Sequence, residues 1–315
     1  QLQTPRVIEP LATLSLDTDA TTARTALQAL LKLGEVGERA FNTAFTSEFA
    51  KKPPDERAAW GRNIADIDPR PGVGLQPDGL PDIDWVEILA GEFTFGAEDE
   101  RNGPRKLTLP TFYIARYPVT YQQFQAFIDA DDGFHNPQWW KGLAADDDHK
   151  SSPGEQAFKY WNHPRERVSW YDAVAFCRWL SVKAGYKITL PTEQQWEKAA
   201  RGTDGLEYPY GKEYDASKGN TYQTGIGQTS AVGIFSGGAS PYDILDMSGN
   251  VWEWCLNEYS NPENTGLGGA SSRVLRGGSW GRRMDYARAS YRDGWPPSFR
   301  NFNFGCRCVC AAPYD

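Results

Sequence analysis

From residue 84 to its C-terminus, the chain consists of short apolar segments separated by long connections rich in Gly and Asn. Aromatic side chains recur throughout this region, and the 315-residue chain contains 12 Trp. This pattern predicts a compact fold that mixes helices with strands and has little regular structure.

Three short helices in this region have recognisable starts. Thr120, Ser169 and Thr192 are each followed three residues later by Gln or Asp, the arrangement in which two side chains cap the first helical turn. Gly185 and Gly202 stand where the second and third helices should end. We therefore expect three short, locally specified helices.

Three other stretches are typical of strands. They are WVEILAGEFTFG at 85–96, KLTLPTFYIARYPVT at 106–120 and RVLRGG at 273–278. The first of them is expected to turn through Ala90 and Gly91 as a hairpin. Strands and helices together predict the α+β class.

The N-terminal part of the chain has a different composition. Within residues 22–50, Leu27, Leu30 and Leu31 have the spacing of an amphipathic helix, whereas Pro and Gly recur at 69–82. The expected organisation is therefore a helical N-terminal segment at 1–68, a Pro/Gly-rich linker at 69–83 and one domain at 84–315.

Charge limits the classes of partner. A net charge of −8 and a pI near 5.1 disfavour binding to nucleic acid or to an anionic membrane, since both attract basic proteins. No apolar run reaches the roughly 18 residues of a membrane-spanning helix. We predict no nucleic-acid partner and no membrane span.

Cysteine usage gives an expectation about the compartment. The chain has five Cys, an odd number, and a chain of this length can form a core without disulfides. Free thiols favour a cytoplasmic protein. Because the sequence begins with Gln1, surface display after removal of a leader stays open as an alternative.

A series of motifs in a fixed order carries a family resemblance. The motifs are WVEILAGEFTFG, FYIARYPVTYQQFQAFI, RVSWYDAVAFCRWLS, LPTEQQWEKAARG, YPYG, DMSGNVWEW, RVLRGGSW and GCRC. Together they resemble the formylglycine-generating sulfatase-modifying family over about residues 84–310. The resemblance implies a divergent C-type lectin fold.

The resemblance also implies a position for catalytic copper. In this family two cysteines that follow the RGGS motif hold copper and oxidise a substrate cysteine to formylglycine. Here Arg282 and Ala287 occupy those positions, and neither side chain is a copper ligand. We predict that the chain is not an enzyme.

The remaining cysteines and the histidines do not suggest another metal centre. Cys306 and its neighbours at 308 and 310 alternate along the expected last strand, which predicts buried core side chains, with a metal or redox site as the alternative. A second branch of the family holds nonheme iron through histidines supplied partly by a helical domain. His135, His149 and His163 all lie outside the helical segment of this chain, so we expect loop or surface residues and no iron site.

A structural calcium ion is a further implication of the resemblance. The family's calcium loop corresponds here to the main-chain carbonyls of Ser248, Gly249 and Val251 and to the side chain of Glu253. The alternative is that Glu253 is hydrogen-bonded between core tryptophans without a metal. Apart from this possible calcium ion, no cofactor is expected.

The segment at 276–308 has the most unusual composition. Between 277 and 308 there is no Val, Ile, Leu, Lys, Glu, Gln, Thr or His, while Arg, Tyr, Phe, Trp, Asn, Asp, Ser and Gly recur. Antibody paratopes and interface hot spots use a similar set of residues. The segment resembles the C-terminal repeat of variable proteins diversified by retroelements, which use the same lectin fold and in which adenine-directed mutagenesis leaves Lys, Glu and Gln unreachable.

This resemblance identifies a candidate binding surface at 276–308. The frame, 276–279 and 305–308, should be fixed, as should Trp280, Met284 and Trp295. The predicted ligand-binding residues are Gly281, Arg282, Arg283, Asp285, Tyr286, Tyr291, Asp293, Gly294, Ser298, Phe299, Asn301, Phe302, Asn303 and Phe304. The alternative is that the aromatic residues, Phe304 above all, belong to the core and that the arginines pair with acidic groups.

The predicted function is non-catalytic binding. A diversified surface on a C-type lectin scaffold would bind an unknown protein or other macromolecular ligand. Two alternatives remain: a metal-dependent oxidase of the formylglycine-generating family with a non-standard site, and an inert module that binds a partner.

Overall fold

Four helices form the N-terminal part of the chain in a computed structural model that describes residues 5–97 and 103–313. They are α1 (Pro5–Leu14), α2 (Ala20–Leu31), α3 (Glu35–Ser47) and α4 (Pro54–Asn63). Trp60 lies fully buried at their centre, and the rings of Phe45 and Phe49 have their centroids 5.4 and 4.4 Å from its ring. Ala231 and Phe235, far along the chain, complete this core, so the helices pack against the rest of the protein.

Residues 69–83 contain no helix or strand beyond an isolated bridge between Leu75 and Pro81. The segment is nevertheless attached to the rest of the molecule. Thr120 Oγ1 donates to the carbonyl of Val73 at 2.8 Å, and Gln123 Nε2 donates to the carbonyl of Gly72 at 3.1 Å.

The remaining region combines short helices with short strands, and the predicted α+β class is confirmed. In chain order the elements are β1 (Trp85–Ile88), β2 (Gly91–Phe95), β3 (Arg105–Leu109), β4 (Phe112–Ala115), α5 (Tyr121–Asp129), α6 (Asp147–Ser151), α7 (Trp170–Ala184), β5 (Ile188–Thr189), α8 (Glu193–Arg201), β6 (Trp252–Glu258), β7 (Arg273–Arg276), β8 (Arg292–Trp295), β9 (Phe304–Gly305) and β10 (Val309–Cys310). Among the described residues, no helix is long and apolar enough to cross a membrane.

The three predicted helix starts are confirmed. Thr120, Ser169 and Thr192 each cap their helix through the backbone N–H three residues later, and the residue at that third position returns a hydrogen bond to the cap. Gly185 ends α7 with φ of 81°, a left-handed conformation that glycine adopts without steric cost.

The predicted hairpin at Ala90 and Gly91 is wrong. β1 pairs antiparallel with β4 in a sheet of order β1-β4-β10-β5, whereas β2 pairs with β3 in a separate two-stranded sheet. The apolar pattern identified the strands correctly but not their partners. Ile88 at the end of β1 is fully buried opposite Phe112, a contact between positions 24 residues apart in the sequence.

The third sheet carries the candidate surface. Its order is β8-β7-β6-β9, and β9 runs parallel to β6, with Phe304 paired to Trp252. The C-terminal segment begins at the last residue of β7 and contains β8 and β9, so it is attached to this sheet at three places. The connections between those strands contain most of the predicted binding positions.

Candidate ligand-binding surface

One end of the C-terminal segment is fixed by a buried arginine. Arg276 at the end of β7 is completely buried and forms an ion pair with Glu197 of α8. Its guanidinium also donates to the carbonyl of Tyr291 at 2.9 Å, so the same side chain holds the point where the chain returns to β8. A buried charge with a carboxylate and carbonyl partners is a specific, geometrically demanding attachment.

The two glycines after Arg276 permit a close approach of other parts of the chain. Gly277 and Gly278 have φ of 90° and 71°, which side chains other than glycine rarely adopt. A Cβ atom on Gly278 would lie 2.8 Å from the carbonyl oxygen of Tyr286. The RGG sequence thus brings the loop at 281–286 back against β7.

The other end of the segment is fixed by Arg307, which is fully buried. Its Nη2 and Nε donate to the two carboxylate oxygens of Glu253 at 2.7 and 2.9 Å. Its Nη1 donates to the carbonyls of Ala115 and Arg116 at 2.8 and 2.7 Å, and Nη2 donates to that of Leu245 at 2.8 Å. Both ends of the predicted frame are therefore interior anchors.

The predicted binding residues divide into three classes by burial. The exposed ones are Gly281, Arg283, Asp285, Ser298, Phe299 and Phe302. The partly exposed ones are Arg282, Tyr286, Tyr291, Asp293, Gly294 and Asn301. Twelve of the fourteen positions thus reach the surface, and two do not.

Asn303 and Phe304 are buried, and their assignment to an exposed surface was wrong. Phe304 is 1% exposed, and its ring centroid lies 5.4 Å from that of Trp254 and 5.7 Å from that of Trp295. Asn303 donates from Nδ2 to Ser279 Oγ at 2.9 Å. The reason is the parallel pairing of β9 with β6, which turns this end of the segment into the core.

Three aromatic side chains of the surface pack against tryptophan rings beneath them. Tyr286 and Tyr291 meet edge to face with centroids 5.0 Å apart, and both lie over the buried Trp252 at 6.5 and 6.0 Å. Phe299 stacks on the half-buried Trp295 at 4.7 Å. These contacts restrict the rotamers of the side chains before a ligand binds, which reduces the entropic cost of binding.

A second aromatic group includes a residue outside the C-terminal segment. The half-buried Trp280 lies 5.5 Å from Phe302 and 5.7 Å from Phe158 between ring centroids. The buried carboxylate of Glu166 fixes Phe158 by accepting from its backbone N–H at 2.9 Å. Sequence reasoning missed Phe158, because its only signal is an isolated aromatic residue in a polar loop.

Most arginines of the segment are already paired. Besides the two anchors, Arg288 lies 3.3 Å from Glu207, Arg292 lies 2.9 Å from Glu193, and Arg300 lies 2.6 Å from Asp172. The alternative in which arginines pair with acidic groups is therefore correct for these residues, none of which was among the predicted binding positions. Within residues 5–97 and 103–313, Arg282 and Arg283 form no ion pair.

The ion pair with Arg300 affects the pKa of the Asp172 carboxyl group. Asp172 is buried, and burial alone would raise the pKa of its carboxyl group. Hydrogen bonds from His149 and Arg300 outweigh that effect and lower the pKa to about 2. Arg300 also donates to the carbonyl of Ser152 at 2.7 Å, so this charge attaches the 296–302 loop to the domain.

The family resemblance predicts that Arg282 and Ala287 stand where the copper ligands would lie, and neither residue carries a thiol. Arg282 is half-buried, with its guanidinium 5.6 Å above the ring of Tyr286, and Ala287 is fully buried. All five cysteines are free and buried elsewhere, and burial raises the pKa of the Cys255 thiol well above its usual range. A thiol with a raised pKa is a poor nucleophile and a poor metal ligand at neutral pH.

The three terminal cysteines occupy the predicted core face. Cys306, Cys308 and Cys310 belong to the same apolar cluster, and the intervening Val309 belongs to another. Only Val309–Cys310 is a regular strand, so the alternation extends beyond it. Among the described residues, no group of three His, Cys, Asp or Glu is arranged to hold a metal ion.

The histidines do not form a cluster with a shared chemistry. His163 lies in a loop, one of the two expected settings, but it is completely buried, and burial lowers its pKa to about 3. Its Nδ1 lies 2.9 Å from Thr229 Oγ1. His149 Nε2 lies 2.8 Å from Ser169 Oγ, the cap of α7, which is a structural contact.

The predicted calcium ligand Glu253 is engaged elsewhere. Both of its carboxylate oxygens accept from Arg307, and Oε2 also accepts from Trp196 Nε1 at 2.7 Å. The guanidinium neutralises the carboxylate in a fully buried setting. Glu253 therefore does not fit a calcium ligand in this arrangement; calcium at this loop stays a prediction and has no role in the function proposed below.

Comparison with known proteins places the chain in a family. Residues 76–312 match the family model described as "Sulfatase-modifying factor enzyme 1-like domain". The chain belongs to this family. The solved structure of Treponema denticola variable protein 1 matches with a TM-score of 0.58 over 73% of this chain and 96% of that chain, at 23% identity. The predicted C-type lectin fold of the formylglycine-generating type, preceded by N-terminal helices, is confirmed.

Relatives within the family include both active and inactive proteins. Hercynine oxygenase of Mycolicibacterium smegmatis is 27% identical over 80% of this chain and 68% of its own length. Inactive C-alpha-formylglycine-generating enzyme 2 of Mus musculus is 29% identical over 76% of this chain and 89% of its own length. The Chlamydia trachomatis serine/threonine-protein kinase Pkn1 is 30% identical over 72% of this chain. The chain spans only 38% of the length of that kinase. Membership of the sulfatase-modifying family therefore does not decide whether this chain is an enzyme.

Proposed function

We propose that this sulfatase-modifying-type domain is a non-catalytic ligand-binding protein, whose C-terminal segment is an interchangeable binding surface of the kind found in retroelement variable proteins. The observation that carries the proposal is the contrast between the segment's ends and its interior. Arg276 and Arg307 are buried and ion-paired, whereas twelve predicted binding positions between them reach the surface.

Such a division suits a surface that varies in sequence. Side chains on a rigid frame can change without loss of the fold when their own contacts lie mainly on one side. Tyr286, Tyr291 and Phe299 offer large areas supported from below by tryptophans. Aromatic groups held in this way lose little conformational entropy on binding.

The enzyme alternative requires a reactive group at the same place. By the family resemblance, Arg282 and Ala287 correspond to the copper-binding cysteines, and neither side chain supplies a soft ligand. The relation to hercynine oxygenase keeps an oxygenase within the family's range. An oxidase with a non-standard site predicts metal-dependent turnover that is lost on substitution of this loop.

Two measurements test the proposal. Sister copies of the gene should differ mainly at the surface positions of 281–302, and the differences from a template repeat should fall at adenines. Scattered differences, or differences concentrated at the buried anchors, would contradict it. In parallel, oxygen consumption with copper- or iron-loaded protein and a cysteine-containing peptide should stay at the level of protein-free controls.

A binding assay completes the test. Peptides retained by the wild-type protein from a random displayed library should lose binding to the Tyr286→Ala and Arg282→Ala double variant. A matched double variant, Tyr186→Ala with Arg39→Ala, removes the same residue types at a partly exposed and an exposed position outside the segment. Equal loss in both variants would refute a surface localised to this segment.

A further inference from the structure

A turn outside the C-terminal segment is bound directly to its first loop. Residues 222–224 form one turn of 3-10 helix, and the backbone N–H of Tyr222 donates to the carbonyl of Arg282 at 2.9 Å. In the opposite direction, the N–H of Met284 donates to Gln223 Oε1 at 3.0 Å. The turn and the 281–286 loop thus form one continuous surface.

This turn is itself rigid. The N–H of Thr221 donates to Thr224 Oγ1 at 3.1 Å, and that hydroxyl donates to the carbonyl of Gly219 at 2.5 Å. Tyr214 holds Thr221 Oγ1 through its hydroxyl at 2.5 Å. The turn therefore presents Tyr222 in a fixed place beside a loop that is expected to vary.

Tyr222 has an unusual exposure for its size. Tyr222 is 68% exposed, more than any other large apolar residue within 5–97 and 103–313. An exposed aromatic residue on a rigid turn has no role in the core. Tyrosines in such positions act as anchors in protein interfaces, since they bury a large area at a small entropic cost.

Charge in the C-terminal segment is opposite in sign to that of the whole chain. Residues 276–308 contain seven Arg and two Asp with no Lys or Glu, whereas the chain as a whole has a net charge of −8. Five of those arginines have carboxylate partners in ion pairs. The positive charge available to a ligand is therefore concentrated at Arg282 and Arg283, beside Tyr222.

The 281–286 loop itself contains one opposing group. Asp285 is exposed in the same loop, so the 281–286 loop has a formal charge of +1. Two adjacent guanidinium groups can each hold a carboxylate in a forked hydrogen bond. The acidity of the rest of the chain disfavours a long polyanion such as a nucleic acid, since its charges beyond the two arginines would meet a repulsive field, whereas a short acidic segment needs to reach only this loop.

We propose that Tyr222, Arg282 and Arg283 form a composite site for an acidic polypeptide segment, with the two arginines binding its carboxylates and Tyr222 packing against its backbone or side chains. This inference rests on the proposed binding function and adds the chemistry of the partner. It also assigns a contact to a residue outside the variable segment, so copies with different loops at 281–302 would share this anchor.

The test uses labelled peptides of equal length, an oligo-glutamate and an oligo-serine, with fluorescence anisotropy as the readout. The wild-type protein should bind the acidic peptide at least about tenfold more tightly, as expected for one or two charge-assisted contacts. Arg282→Gln with Arg283→Gln should remove that preference. Tyr222→Ala should weaken binding of the acidic peptide by about tenfold while preserving the preference.

A matched control separates a local site from total charge. Lys32→Gln with Arg39→Gln makes the same change in net charge at exposed positions of the N-terminal helices and should leave affinity unchanged. Equal loss in the two double variants would overturn the inference. It would also be overturned if the wild type showed no preference for oligo-glutamate, or bound an oligonucleotide of the same charge as tightly.

The inference and the proposed function can fail separately. If library-selected peptides depend on Tyr286 but not on Arg282, Arg283 or Tyr222, the binding surface stands and the acidic partner is refuted. If no selected peptide depends on any of these four residues, both proposals fail. Circular dichroism of each variant checks that the exposed substitutions leave the fold intact.

Discussion

Replacing Glu253 by Gln gives the strongest test of how the segment is anchored. Glu253 and Arg307 are both fully buried, and two hydrogen bonds of 2.7 and 2.9 Å join them. Glutamine has nearly the same shape and can still accept from Trp196, but it removes the negative charge. The guanidinium would then stay buried without its paired carboxylate, and main-chain carbonyls would remain as its acceptors.

The expected cost follows from that uncompensated charge. Breaking a buried ion pair by removing one partner typically costs about 3–5 kcal/mol, compared with a total free energy of unfolding of about 5–15 kcal/mol. Glu253→Gln should therefore lower the urea midpoint strongly without abolishing folding. Arg307→Met should cost more, because it also leaves the carbonyls of Ala115, Arg116 and Leu245 without their donor.

Urea unfolding followed by tryptophan fluorescence measures both variants. A loss below about 1 kcal/mol for Glu253→Gln would refute the buried-charge argument, since that is the range of an exposed pair. Thermal unfolding of the same proteins tests whether Glu253 is a calcium ligand. Because Arg307 neutralises Glu253, calcium added to chelator-treated wild-type protein should not raise its melting temperature, and a rise that Glu253→Gln abolishes would contradict this geometry.

Three further predictions concern the segment and its supports. The pKa of Asp172 is lowered to about 2, so its ionised form stabilises the fold above the unfolded pKa of about 3.9. This contribution is lost as the pH falls from about 4 toward 2. The free energy of unfolding of Asp172→Asn should therefore vary less over this pH range than that of the wild type. Phe304→Ala should cost about 3–5 kcal/mol of unfolding free energy because its ring is buried, whereas Phe299→Ala should stay within about 1 kcal/mol and instead weaken ligand binding; similar losses from the two would contradict the burial difference. Gly278→Ala should lower the thermal midpoint. Its φ of 71° and the carbonyl oxygen of Tyr286, 2.8 Å from the new Cβ, impose strain of about 1–3 kcal/mol. An unchanged midpoint would show that the loop relaxes and would contradict this prediction.

Local features of the fold followed directly from the sequence. The caps at Thr120, Ser169 and Thr192 use contacts within three residues, so the sequence contains everything they require. The same holds for the alternation of Cys306, Cys308 and Cys310 into one cluster. Strand pairing could not be predicted from the sequence in the same way, as the wrong hairpin at Ala90 and Gly91 shows. Both β2 and β4 have the apolar pattern expected of a partner for β1, and only β4 pairs with it.

The candidate surface shows the same division. Composition identified 277–308 as a segment with binding-type side chains, since the absence of Lys, Glu, Val, Ile and Leu is visible without coordinates, and the family resemblance supplied its frame. Only the tertiary structure decided which side chains are available. Pairing of β9 with β6 buries Phe304, and distant carboxylates neutralise Arg288, Arg292 and Arg300. It also places Tyr222 beside Arg282, 60 positions apart in the chain, through hydrogen bonds that no local pattern encodes. Burial and charge pairing depend on contacts between remote residues, and the fold is what brings those residues together.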